Sequence, residues 1–285
     1  MKKTYKALLC GAAAVAAVGI AYAMDERFFE KAKDKLTVFK CRANSKIMEQ
    51  ALPLTDAMFP GPKVVSGADS AKKIPEVLKE LNVNKVMIVT GPTVGRTIVP
   101  PIAENLERHG IGYTIYDQVE ANPSVKTVEA IRAQYLENGC DGFLAIGGGS
   151  PMDAAKAAAA RVAKPNTPIG KMAGLMKVMI KVAPIVAVPT TSGTGSEVTM
   201  GAVISDHDER HKYAIMDPNL VPKYAVLDPK LTVSMPKFVT ATTGIDALTH
   251  AVESYVTWAY NNNASNRNAE EAVVKIFRNL KRAYE

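Results

Sequence analysis

Between Pro60 and Met235, short continuous apolar runs alternate with amphipathic stretches, and this alternation constrains the chain more than any other feature. The runs Lys85–Thr90, Gly112–Asp117, Gly142–Ile146, Pro184–Pro189 and Tyr224–Asp228 read as strands. Ala71–Leu81, Pro101–His109, Ser124–Asn138 and Met152–Val162 read as the helices between them. Strands this uniformly apolar are covered on both faces, and helices lie between them in sequence. The fold class is therefore α/β, with a mainly parallel sheet over residues 60–235. Within it, Ala154–Ala160 is a good helix former and needs no special role.

The flanks read differently. From Pro236 the strand signals stop, and Lys237–Tyr260 and Ala264–Tyr284 read as helices joined by Asn261-Asn262-Asn263. Residues 236–285 are thus expected to begin an all-helical domain, and the helical pattern meets no glycine or proline stop after it, as in a truncated domain. At the other end, Lys2, Lys3 and Lys6 precede an uncharged run from Ala7 to Met24, with Ala21-Tyr22-Ala23 as a small-x-small sequence. Residues 1–24 read as an export signal or a membrane anchor, although the run is short and alanine-rich for spanning. Residues 25–59 read as a connector followed by an edge hairpin.

Charge and cysteine usage exclude several classes. The net charge of +7 is spread along 285 residues, without a basic run interleaved with aromatics, so nucleic acid is not an expected partner. Cys10, Cys41 and Cys140 form no CxxC pair, which argues against a disulfide framework or a thiolate metal site.

Two loops carry anion-binding chemistry. Gly147-Gly148-Gly149-Ser150 follows the strand ending at Ile146 and opens a helix near Pro151, a proline suited to a first helical turn. There, glycines let backbone approach an anion while free N–H groups and the helix dipole supply positive potential, and a pyrophosphate is the natural ligand. The string matches neither GxGxxG nor the P-loop pattern. A second loop, Pro189–Glu197, also follows a buried strand and is crowded with hydroxyls and glycines able to hydrogen-bond phosphate, ribose or carboxamide. Two such loops at strand ends of one sheet favour a shared cofactor crevice.

Asp246 and His250 stand four apart in Gly244-Ile245-Asp246-Ala247-Leu248-Thr249-His250 and face the same way on a helix. A carboxylate oxygen and an imidazole nitrogen suit Fe(II) or Zn(II). His207 and His211 are also four apart, but Asp206, Asp208, Glu209 and Arg210 place them in a polar turn between strands. His109 precedes Gly110 at a helix end, where an imidazole is ordinary.

With Leu227-Asp228-Pro229, Pro236, Gly244–His250 and Glu253 in order, and with Gly147–Lys156 and Pro189–Thr199 before them, residues 60–285 resemble the iron-containing, or group III, alcohol dehydrogenases. The resemblance implies an α/β dinucleotide domain followed by an all-helical metal domain, and hydride transfer between an alcohol (or its aldehyde or ketone) and NAD or NADP. It implies cofactor contacts at Asn122, Gly148, Gly149, Ser150, Thr190, Thr191, Thr199 and Lys212, with Gly91, Gly147, Asp153 and Thr194 in the same motifs. A divalent metal, iron or zinc, would polarise the substrate oxygen, held by Asp246, His250 and two later histidines. No histidine follows His250, so the metal set is incomplete in this sequence. Where the family commonly has Thr-Asp after the first strand, this chain has Thr90-Gly91, which removes repulsion toward a 2′-phosphate, so NADP is expected to be tolerated beside NAD, with Arg96 as a nearby cation and the choice between the two left open. A homo-oligomer is expected of the full-length protein. Because nicotinamide cofactors are held in the cytoplasm, a cytoplasmic catalytic portion is expected, with membrane association through residues 7–24 as an open alternative.

Overall fold

The computed structural model describes residues 61–257 and 263–285, which divide into a unit spanning Gly61–Gly244 and a second containing Ile245–Ala283. The expected signal or anchor of residues 1–24, the expected hairpin of 25–59 and most of the Asn261–Asn263 turn lie outside the described residues. Among the described residues no helix is long and apolar enough to cross a membrane.

The first unit is built on a six-stranded sheet. Its strands are β1 (Lys63–Ser66), β2 (Lys85–Val89), β3 (Gly112–Tyr116), β4 (Gly142–Gly147), β6 (Ile185–Pro189) and β9 (Tyr224–Leu227). They lie in the order β1-β9-β6-β4-β2-β3, and every pairing is parallel. Helices connect them: α1 (Ile74–Glu80), α2 (Pro92–Thr97), α3 (Val99–Arg108), α4 (Val125–Glu137) and α5 (Gly149–Ala163). The five expected strands and four expected helices are all present, with ends displaced by a few residues. Ser124 caps α4 by accepting from the Thr127 N–H at 3.1 Å, which satisfies a donor the first turn would otherwise leave free.

Side chains of the central strands divide by the period of two. Met87, Val89, Phe143, Ala145, Ile185 and Ala187 face the core under α4 and α5. Val86, Ile88, Leu144, Ile146, Val186 and Val188 face the core under α1 and α3. Two buried faces explain why these strands read as continuous apolar runs. Each Ile or Leu so enclosed contributes roughly 1.5–3 kcal/mol from burial. In α5, Ala154, Ala155 and Ala157–Ala160 are fully buried, so the alanine run lets the helix lie close on the sheet.

A smaller sheet adds β5 (Gly174–Leu175), β7 (Gly201–Asp206) and β8 (His211–Met216) in the order β5-β8-β7, after the short helix α6 (Ile169–Met172). β7 and β8 form an antiparallel hairpin whose turn is the polar Asp206–Arg210 segment. His207 and His211 therefore sit at a hairpin tip, with the His211 ring edge-on to Tyr213 at 5.0 Å between centroids. The chain continues through α7 (Lys237–Val256) and α8 (Asn263–Tyr284), the helices expected after Pro236.

Candidate functional site

The sheet order places the topological switch point between β2 and β4. From β2 the chain moves outward to β3, and from β4 it moves the opposite way to β6. In open α/β sheets such a divergence leaves a crevice beyond the carboxyl ends of the strands. The segments leaving β2 and β4 there are Thr90-Gly91 and Gly147-Gly148-Gly149.

Gly147 has φ +150°, where an L side chain is strained, and a Cβ on it would lie 2.7 Å from Pro151 Cγ. Gly148 is the N-cap of α5 and no side chain caps that end, so the free N–H groups of the first turn and the helix dipole are available to an anion. Pro151 falls in that first turn, where its missing N–H costs nothing.

The hydroxyl-rich loop lies directly against these glycines. The Thr190 N–H donates to the Gly147 carbonyl at 2.9 Å, joining the ends of β6 and β4. A Cβ on Gly148 would meet Thr191 Oγ1 at 3.2 Å, and one on Gly149 would meet Thr194 Oγ1 at the same distance. Gly193 packs so closely on Thr243 that a Cβ would fall 2.6 Å from its carbonyl oxygen. The two loops therefore form one surface of glycine backbone and threonine hydroxyls.

The remaining expected positions separate into three groups. Asn122 and Lys212, ninety residues apart in sequence, are joined by a 2.9 Å hydrogen bond from Lys212 Nζ to Asn122 Oδ1. Lys212 is carried by β8, and the Asn122 turn is pinned to the hairpin because the Ser205 N–H donates to the Pro123 carbonyl at 2.8 Å. Thr199, expected as a cofactor contact, and Asp153, expected beside those contacts by motif, both hydrogen-bond within the protein. Asp153 accepts from the Ser196 hydroxyl at 2.8 Å and from the Val203 N–H at 2.9 Å, and burial raises its pKa above the usual carboxylate value. Thr199 Oγ1 is within 3.4 Å of the Ser196 carbonyl, to which it donates. Gly91 caps the short helix α2 at the end of β2, and a Cβ there would approach the Val119 carbonyl oxygen at 3.1 Å. Arg96 is exposed on the last turn of that helix.

In the second unit, Asp246 and His250 lie on successive turns of α7 with His250 Nε2 3.8 Å from Asp246 Oδ1, and their side chains are 41% and 52% exposed. Among the described residues no group of three histidine, cysteine, aspartate or glutamate side chains is arranged to hold a metal ion. Two exposed donors do not fit the three or more protein ligands of a catalytic metal site. His109 likewise has a local role, with Nδ1 at 2.8 Å from the Asn105 carbonyl at the end of α3.

β7 and β8 were foreshadowed only by the polar turn between them, and Ser196 as the partner of Asp153 was not expected. Its signal was available in part: an aspartate opening an otherwise apolar alanine helix needs polar partners from elsewhere in the fold.

A parallel, doubly wound sheet with a glycine turn and a hydroxyl loop at its switch point defines a class of α/β protein whose crevice there can take an anionic ligand. Residues 61–229 match the model of the iron-containing alcohol dehydrogenases, and residues 240–285 match the C-terminal model of the same family. The chain belongs to the iron-containing alcohol dehydrogenase family, whose members are oxidoreductases. It is 36% identical over 201 residues to choline dehydrogenase of Bacillus subtilis (strain 168), covering 69% of this chain and 50% of that one. It is 35% identical over 204 residues to the NAD-dependent methanol dehydrogenase of Bacillus methanolicus, covering 71% and 53%. The solved structure of a 1,3-propanediol oxidoreductase superposes with a TM-score of 0.76 at 32% identity, over 79% of this chain and 59% of that one. The chain thus spans about half the length of the curated relatives it matches.

Proposed function

We propose that the Gly61–Gly244 unit binds a nicotinamide dinucleotide, and that the chain serves hydride transfer between a small alcohol and its aldehyde or ketone. The observation that carries this reading is the contact of the Gly148-Gly149 backbone with Thr191 and Thr194 at the switch point. In this reading the pyrophosphate lies over the uncapped start of α5, where backbone N–H groups and the helix dipole offset its charge. The hydroxyls of Thr191 and Thr194 orient the ribose and carboxamide, and Lys212, steadied by Asn122, supplies a cation. At the end of β2, Gly91 presents no carboxylate to repel a 2′-phosphate, so NADP is accepted at least as readily as NAD. The names of the relatives, choline and methanol dehydrogenase among them, point to small alcohols as the substrate class. The catalytic portion works in the cytoplasm, where the dinucleotide is held.

The test is a fluorescence titration of the chain with NADPH and NADH, followed by addition of short aldehydes while nicotinamide absorbance is recorded. Saturable binding that is lost in Gly148→Val supports the site, since the new side chain would collide with Thr191. Absence of binding by the unaltered chain refutes it.

A second reading is favoured by the metal donors. With Asp246 and His250 exposed, and with no group of three metal-binding side chains among the described residues, this chain binds dinucleotide without turning over alcohol. Binding without absorbance loss, at any concentration of added Fe(II) or Zn(II), distinguishes it from the first.

A further inference from the structure

Lys156 lies in the alanine-rich stretch of α5 with none of its surface exposed. Its ammonium donates to the carbonyl oxygens of Ser196 at 2.7 Å, Thr199 at 2.9 Å and Gly201 at 2.9 Å. The hydroxyls of Ser196 and Thr199 stand at 3.0 and 3.2 Å. An ammonium has three N–H donors, so the three carbonyls alone can satisfy it, with the hydroxyls sharing. All five oxygens come from residues 196–201, the stretch that carries the hydroxyl-rich loop into β7.

One helix therefore presents the glycine turn at its start and grips the neighbouring loop through Asp153 one turn later and Lys156 two turns later. Asp153, three residues before Lys156, takes the Ser196 hydroxyl and the Val203 N–H. Enclosing a cation is costly, and burial pulls the Lys156 pKa down to about 8 against the opposing charges of Asp153 and Glu197. An apolar side chain would fill the same space without that desolvation. What only the ammonium supplies is a set of donors on which three backbone carbonyls converge.

We propose that Lys156 is a positioning residue for the dinucleotide: a tethered internal cation around which residues 196–201 close, holding the hydroxyl loop against the glycine turn. The inference rests on the reading of those two loops as the dinucleotide site. Lys156 is enclosed and acts through the loop alone.

The experiment combines hydrogen exchange with NADPH titration of the whole chain. In the unaltered protein the 196–201 amides exchange far more slowly than those of the exposed Asp206–Arg210 turn. Lys156→Met keeps its far-ultraviolet spectrum and cooperative unfolding, loses that local protection, and binds NADPH about ten- to a hundredfold more weakly, as expected for losing hydrogen bonds to a charged group. Lys156→Ala refolded with propylammonium, which replaces the atoms removed, regains protection and affinity, whereas sodium ion at equal concentration restores neither. The proposal is overturned by Lys156→Met with unchanged protection and affinity, by failure of propylammonium to act on Lys156→Ala, or by rapid exchange of 196–201 in the unaltered chain. Should the unaltered chain bind neither NADPH nor NADH, the dinucleotide reading fails, and the exchange arm still decides whether Lys156 locks the loop.

Discussion

At the residue scale, a single added carbon is enough to disturb the glycine and hydroxyl loops. Gly193→Ala would place its Cβ 2.6 Å from the Thr243 carbonyl oxygen and 2.8 Å from the Thr243 Cβ. The expected cost is about 1–3 kcal/mol, as for other overpacked sites, read as a lower urea midpoint with an unchanged slope. A midpoint equal to the parent's would show that the loop yields freely. Lys156 makes a different prediction, in pH. Its folded pKa of about 8 lies below the 10.5 of the exposed group, so below pH 8 both states hold the proton and stability is flat. Between the two values only the unfolded chain holds it, and stability rises with pH by about 3 kcal/mol in all. Subtracting the unfolding free energy of Lys156→Met at each pH isolates this slope, and a flat difference from pH 7 to 10.5 contradicts it. Gly147–Gly149 was legible in the sequence because the turn is local chemistry, a strand end followed by a helix start. The cage around Lys156 was not, because all of its partners lie forty or more residues away, and a lone lysine among alanines looks like ordinary helix sequence.

At the scale of elements, the readable strands were those with two buried faces. β4 and β6 are buried throughout, and their apolar runs stand out at once. β1 escaped notice because it is an edge strand of four residues, KVVS, with only Val65 partly buried. β7 and β8 escaped because a hairpin half open to solvent alternates polar and apolar residues, and the legible part was its polar turn. α5 shows how composition becomes packing. Ala154, Ala155 and Ala157–Ala160 are fully buried between the sheet and its neighbours, so the short side chain sets the distance at which the helix can lie. Ala158→Leu is accordingly expected to destabilise by about 1–3 kcal/mol and to lower the melting temperature by several degrees, roughly 2–4 °C for each kcal/mol in a unit of this size. Calorimetry checks it, and a melting temperature within a degree of the parent's would mean that α5 has room to spare.

At the scale of the whole molecule, the two units differ in how far motif and geometry agree. In the second, the Asp246–His250 pair lies within the stretch that matches the family's C-terminal model, yet two exposed donors on one helix make a weak holder of metal. Dialysed protein is expected to retain substoichiometric iron or zinc, and one tightly held equivalent by metal analysis would disprove this. In the first, the motif and the sheet order converge on one crevice, and under the proposed dinucleotide function the choice between NAD and NADP turns on its β2 side. Gly91 follows β2 next to the switch point, and a Cβ on it would lie 3.1 Å from the Val119 carbonyl oxygen, so that this backbone must give by a few tenths of an ångström. An aspartate there would bring a carboxylate toward the adenosine ribose, where it can accept from a 2′-hydroxyl and repel a 2′-phosphate. Gly91→Asp is therefore expected to weaken NADPH binding about tenfold or more while leaving NADH within about threefold, since like charges brought close cost on the order of 1–3 kcal/mol in a partly solvated cleft. Parallel titrations of parent and variant give the ratio directly. Equal losses for both cofactors would point to backbone disturbance at Val119, and no change in either would place the adenosine ribose away from β2.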